Sequence, residues 1–263
     1  MKKTIFFIAL IGCLALVVAG KFHWDEKIAQ TGETVSAEGD YGQNELKKTS
    51  ELEGKPVSDK ELTKLVSNFS EQLQEKMLGS NDPISIAIVG SESIGTKKDG
   101  LKKSVEEGLE DAYWNGAFTV NQFTFEEATT NKIIEEKLYD DVIEAKPDIV
   151  LLEAFTLNDN GVVVIDDGHQ NLASFMSELK DAIPGVTIML MPSNPIYDPG
   201  YYAVQISALE KYTELNDIVY LDYWKEWPAV DSEEINDYLV DSRPNEKGFE
   251  VWGEFLVDYL SGN

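Results

Sequence analysis

The chain has 263 residues, with 22 Lys and Arg against 48 Asp and Glu, a formal net charge of −26. That excess repels phosphate backbones and anionic headgroups, so no nucleic-acid partner is expected, and the length suits one α/β domain with appendages. The sole cysteine, Cys13, lies in an N-terminal apolar run, and the only histidines are His23 and His169. The folded part therefore has no disulfide, no cysteine nucleophile and no zinc site of several histidines.

Lys2 and Lys3 precede an apolar run at 5–19, and Lys21 follows it. The run has the length of a signal-peptide core and falls slightly short of the ~20 residues that span a bilayer. Residues 1–22 read as a membrane anchor, with a cleaved signal at Val17-x-Ala19 or a lipid-modified Cys13 as alternatives. All three place the domain outside the cytoplasmic membrane, anchored or secreted. Residues 23–57 are polar and without period, as a flexible tether is. Ser58 to Glu61 forms a capping box that opens an amphipathic helix within 58–82, with Leu62, Leu65, Val66, Phe69, Leu73 and Met77 on one stripe.

From residue 83 an alternation begins. Apolar, β-rich runs at 84–89, 117–123, 148–155, 186–191 and 218–223 are separated by helical patterns at 98–114, 126–145, 168–182, 201–215 and 246–260. Continuous runs such as Ile149-Val150-Leu151-Leu152 predict parallel strands buried on both faces. The expected architecture over 83–263 is a three-layer α/β/α sandwich with about five parallel strands, flavodoxin-like in layout.

Ligands of such sheets bind at the carboxyl ends of the strands. The first strand leads into Gly90-Ser91-Glu92-Ser93-Ile94-Gly95, where glycines allow a turn that lifts a hydroxyl out of the sheet, or simply an ordinary glycine-serine turn. The third leads into Phe155-Thr156-Leu157-Asn158-Asp159-Asn160, where Asn158 either donates to an oxyanion or caps its own turn. Before the last helix stands Val240-Asp241-Ser242-Arg243-Pro244-Asn245-Glu246-Lys247-Gly248, in which Asn245 can act as a helix cap. Asp166, Asp167 and Asn158-Asp159 lack the spacing of a metal loop and read as a solvated acidic turn, so no metal and no cofactor are expected.

In this order and spacing the three segments resemble the SGNH (GDSL-type) hydrolases over about 83–261. Strings such as Phe155–Asn160 and Asn194-Pro195-Ile196-Tyr197 are similar to those of membrane-anchored Gram-positive members. The resemblance, anchored on Gly95, implies Ser91 as nucleophile and Asn158 as oxyanion donor, with Thr156 at the position of a family glycine. The family's oxyanion sits among the nucleophile's backbone N–H, a glycine N–H and the Asn amide. The third segment is similar to Asp-x-x-His-Pro-Asn, but Arg243 stands at the base and Val240 at the orienting Asp, with Asp241 adjacent. No glycine follows the second strand, where Asn121, Gln122 and Phe123 are expected to form the turn.

A guanidinium with a pKa above ~12 accepts no proton near neutral pH, so the serine lacks its base unless His169 substitutes. Tyr197 and Tyr201 are expected on one lip of the cleft, as are Trp224 and Trp227. Two functions stay open. One is ester hydrolysis of a small ester or an acylated cell-envelope polymer; the other is a non-catalytic envelope module whose Arg243 holds an anion.

Overall fold

The computed structural model of the protein describes residues 64–79 and 82–262. The expected anchor, the tether and the capping box of the first helix lie outside the described residues. Among the described residues no helix is long and apolar enough to cross a membrane.

Helix α1 (Glu71–Gly79) precedes strand β1 (Ile84–Gly90) and helix α2 (Leu101–Ala112). Strand β2 (Phe118–Thr124), helices α3 (Thr130–Glu136) and α4 (Asp140–Ala145) and strand β3 (Ile149–Glu153) follow. Then come α5 (Thr156–Asp159), α6 (Ile165–Ala182), β4 (Thr187–Met191), α7 (Tyr201–Leu215) and β5 (Val219–Tyr220). A hairpin of β6 (Leu239–Val240) and β7 (Arg243–Pro244) leads into α8 (Glu246–Leu260). The main sheet has the order β2-β1-β3-β4-β5 with every pairing parallel.

The expected three-layer α/β fold is what forms. Alternate residues of each strand face opposite layers, as the two-residue period of a strand requires. Ile84, Ile86, Ile88, Ile149, Leu151, Met189 and Met191 pack with Leu73 and Met77 of α1, Leu101, Val105 and Leu109 of α2, and Trp252 and Leu256 of α8. Ala87, Val89, Val150, Leu152, Ile188 and Leu190 face Ile133 of α3, Val142 of α4, Phe175 and Leu179 of α6, and Leu209 of α7. All five β3 residues are buried. Burying an Ile or Leu side chain fully contributes about 1.5–3 kcal/mol, which explains runs with no polar interruption.

Several boundaries differ from the sequence reading. The first amphipathic helix is interrupted by a turn at 66–70, where the Ser70 hydroxyl accepts from the Leu73 N–H at 3.4 Å and starts α1. The 126–145 pattern is two helices, because Lys137 adopts a left-handed φ of 50°. Asn121, Gln122 and Phe123 are not a turn but the end of β2. Buried Gln122 stays in the strand because its amide donates to Gly95 O at 2.7 Å and its carbonyl accepts from the Lys102 N–H at 3.3 Å. The β6–β7 hairpin has no counterpart in the sequence reading.

Candidate functional site

Strand β1 ends at Gly90 because nothing larger fits. A Cβ there would meet Glu153 Cβ at 2.8 Å and Ile94 Cγ2 at 2.9 Å. Glu153, the last residue of β3, passes under this turn, fully buried. Its Oε2 accepts from the Ser91 N–H at 2.6 Å and its Oε1 from the Phe155 N–H at 2.7 Å, while the Ser193 hydroxyl makes a short bond to Oε1. Burial pushes the Glu153 carboxyl above its ordinary pKa, against the pull of the Ser193, Ser91 and Phe155 donors, which favours the protonated acid.

Ser91 is therefore not the exposed nucleophile that the resemblance implies. It is fully buried, and its Oγ caps the short 3₁₀ turn Glu92–Ile94 by accepting from the Ser93 N–H at 3.2 Å. The group at the mouth of the turn is the side chain of Glu92. Its Oε2 accepts from the Glu127 N–H at 3.0 Å and from Asn158 Nδ2 at 3.3 Å. Its Oε1 accepts from Arg243 Nη2 at 3.2 Å. Ser91, Asn158 and Arg243 thus gather at the carboxyl edge of the sheet, with Glu92 at the point where Asn158 and Arg243 converge.

Each donor is aimed by local backbone. Phe155 takes a left-handed φ of 56° at the end of β3 and turns the chain into α5, which carries Asn158. Asn158 Nδ2 also donates to Ala128 O at 3.1 Å, which fixes its amide plane. Glu127 has a φ of 52°. Non-glycine residues in this region cost of order 1–3 kcal/mol and persist where the surroundings demand them. Here the demand is the orientation of one N–H. Glycine is the usual occupant of such a position, so the sequence reading, which looked for one, passed over Glu127.

Arg243 is carried by the hairpin. Asp241 and Ser242 have φ of 51° and 63°, the two left-handed residues of a two-residue hairpin turn. Asp241 is exposed at that tip. Asn194, from the loop after β4, donates to Ser242 O at 2.9 Å and steadies the hairpin. Asn245 has the capping role, accepting from the Gly248 N–H at 3.2 Å. Gly248 is required for the same docking, since a Cβ would stand 2.6 Å from Tyr238 O.

The remaining sequence candidates lie elsewhere. His169 is in the first turns of α6, its ring stacked on Tyr212 of α7 at 4.5 Å. Burial lowers its pKa, with Asp166 opposing. Among the described residues it makes no hydrogen bond to Ser91, Glu92 or Asn158. Trp227 is buried in the core and forms no lip. Trp224 is half-buried and donates to Ser193 O at 2.8 Å. Tyr197 and Tyr201 are exposed, at 42% and 54%, on the loop after β4 and at the start of α7. Thr156 is buried and bonds Ser193 Oγ at 3.1 Å. Asp159 is a structural carboxylate that accepts from the Thr130 N–H at 2.9 Å and the Thr130 hydroxyl at 2.6 Å. Among the described residues no group of three or more His, Cys, Asp or Glu is placed to hold a metal ion.

Burial raises the Glu92 pKa, but its own N–H, the Glu127 N–H, the Asn158 amide and the Arg243 charge together outweigh that and hold it below the ordinary carboxylate value. The arrangement has the chemistry of an anion hole whose anion is part of the chain. A backbone N–H and an Asn amide are among the donors that the SGNH resemblance implies for a tetrahedral oxyanion. Here they hold a carboxylate.

Solved structures share this architecture. A protein of Desulfitobacterium hafniense assigned to the G-D-S-L family of lipolytic proteins superposes with a TM-score of 0.55 at 13% identity, covering 67% of this chain and 99% of its own. A protein of Parabacteroides merdae described as a GDSL-like lipase gives a TM-score of 0.57 at 12% identity, covering 70% and 99%. Axe2, an acetylxylan esterase of Geobacillus stearothermophilus, gives 0.54 at 15% identity, covering 70% and 96%. No protein-family model matches the sequence. No curated protein matches it either. The chain has the α/β fold of the GDSL (SGNH) hydrolases.

Proposed function

We propose that this domain is a non-hydrolytic envelope module of the SGNH fold, in which the Glu92 carboxylate occupies the oxyanion hole. The single observation that carries this reading is the convergence of the Glu127 N–H, Asn158 Nδ2 and Arg243 on one carboxylate. A carboxylate there excludes the carbonyl oxygen that a hydrolase must polarise. A guanidinium at 243 supplies no base, and the buried Ser91 hydroxyl is occupied as a cap. The apolar run at 5–19, flanked by lysines, supports a location at the outer face of the cytoplasmic membrane.

The competing reading is ester hydrolysis, supported by the fold shared with an acetylxylan esterase and by the presence of Asn158. Acetylated or acylated envelope components would be its substrates. The discriminating experiment is release of nitrophenol from short-chain nitrophenyl esters by the purified chain. The module reading expects no turnover above buffer and no change with Ser91→Ala. Turnover that Ser91→Ala abolishes would establish the hydrolase instead.

A further inference from the structure

We propose that Glu153 is the positioning residue of the Glu92 site: one buried carboxyl joins the segments that carry Glu92, Asn158 and Arg243 and aims all three at one point. The inference rests on the arrangement of the site and holds whether or not that site hydrolyses esters. Each segment reaches Glu153 through a bond of its own. Ser91, whose N–H meets Oε2 at 2.6 Å, is followed directly by Glu92. Phe155, whose N–H meets Oε1 at 2.7 Å, opens the turn into α5 and Asn158. The Ser193 hydroxyl donates to Oε1 and accepts from the Leu157 N–H at 3.2 Å, so it ties the loop after β4 to the residue before Asn158. Next in that loop is Asn194, whose Nδ2 donates to Ser242 O at 2.9 Å and holds the residue before Arg243.

The loop after β4 is braced from both sides. The Ser193 N–H donates to Thr156 Oγ1 at 3.1 Å, and the Tyr202 hydroxyl of α7 donates to Asn194 O at 3.1 Å. Glu153, Ser91, Ser193, Asn194 and Tyr202 are all fully buried, so water does not take over a bond that is lost. Among the described residues no Lys, Arg or His forms an ion pair with Glu153. Burying a carboxyl without a cation costs stability, whereas an apolar residue would pack there as Leu152 does. The acid is explained by the segments that it joins.

No other side chain does this work. A carboxyl offers two acceptor oxygens on one carbon, one for each backbone N–H. The amide of Gln has one acceptor oxygen and would turn an N–H toward the second donor, and Asp is one methylene too short. Gly90 makes room for it, since a Cβ there would stand 3.0 Å from Oε2. The site has little slack to absorb a loosened segment. Glu92 accepts at 3.0 Å from Glu127, 3.3 Å from Asn158 and 3.2 Å from Arg243. N–H···O bonds span about 2.7–3.2 Å, so a shift of about 0.5 Å in one arm breaks its bond to Glu92.

Two NMR readouts on the full chain carrying Glu153→Gln test this. In carbon spectra the Glu92 carboxyl should titrate higher than in the parent, toward the ordinary value of about 4.3, and Asn158→Ala or Arg243→Gln should no longer move it. In hydrogen exchange the Ser93 and Leu157 amides, which report the Glu92 and Asn158 arms, should exchange at least about tenfold faster, while central β1 and β3 amides keep the parent's protection. Leu152→Val, which removes a methylene beside Glu153, is the control for lost stability alone and should leave the Glu92 titration in place. With a parent Glu92 that titrates low, an unchanged value in folded Glu153→Gln overturns the proposal. With any parent value, parental protection of Ser93 and Leu157 overturns it. Should Glu153→Gln not fold, Ser193→Ala removes the third bond alone and should speed exchange at Leu157; parental exchange there overturns the proposal equally. A parent Glu92 that titrates at the ordinary value would fail the occupied-hole reading, while amide exchange still decides the role of Glu153.

Discussion

On the proposed non-hydrolytic reading, three changes would make the site hydrolytic, and the geometry says what each supplies. Glu92→Ser removes the carboxylate, returns the Glu127 N–H and Asn158 amide to an incoming carbonyl oxygen, and puts a hydroxyl at the mouth of the turn. Arg243→His supplies a base from the side that now reaches Glu92 at 3.2 Å. Val240 and Arg243 are directly paired across the hairpin, so Val240→Asp places a carboxylate opposite the imidazole. Directly opposite residues have Cβ atoms about 4.5–5.5 Å apart, close enough to orient the ring. General-base assistance contributes typically 10²–10⁴-fold, about 3–5 kcal/mol of barrier. One oxyanion donor contributes about 10²–10³-fold. The triple variant should hydrolyse nitrophenyl acetate about 10²–10⁴-fold faster than Glu92→Ser alone, and adding Asn158→Ala should lower that rate about 10²–10³-fold. A folded triple variant with no gain over Glu92→Ser, or a gain insensitive to Asn158→Ala, would refute the placement of Glu92 in the hole.

Two further outcomes follow from the scaffold. Gly90→Ala should destabilise the domain by about 1–3 kcal/mol in denaturant unfolding, because the added Cβ meets Glu153 Cβ at 2.8 Å with no room to yield. Asp148 accepts from Lys76 Nζ at 2.7 Å and from the Ser85 N–H at 2.7 Å. Burial raises its pKa, but Lys76 and Ser85 outweigh burial and lower it. Its contribution is present above the unfolded Asp value of about 3.9 and is lost as pH falls through the lower folded value. Thermal unfolding of Asp148→Asn should therefore differ from the parent near neutral pH and converge with it in acid.

The fold was legible because parallel strands covered on both faces carry few polar residues before their carboxyl ends, so their sequences carry a nearly continuous signal. Ile149–Leu152 shows it most plainly, and Glu153, which ends that run, also marks where the sheet meets the site. That Asn158 and Arg243 lie at the carboxyl edge of the sheet was legible from the resemblance to the SGNH hydrolases, since either segment alone reads as a turn or a cap. Glu92 was not, because Gly90-Ser91-Glu92-Ser93 offers a serine on either side of it, and only the 3₁₀ turn decides which side chain faces out. Glu127 was hidden for a related reason. Its left-handed backbone is usually signalled by glycine, and here the acidic side chain gives no such sign. The hairpin tip, Asp241-Ser242, likewise lacks the Gly that marks most two-residue turns.

The ionisation of Glu92 tests the central claim most directly, followed by carbon NMR of its side-chain carboxyl as pH is lowered. A carboxylate seated among the Glu127 N–H, Asn158 amide and Arg243 should titrate below the ordinary Glu value of about 4.3, and Asn158→Ala or Arg243→Gln should each move it upward. A Glu92 that titrates at the ordinary value and is indifferent to both substitutions would contradict the account.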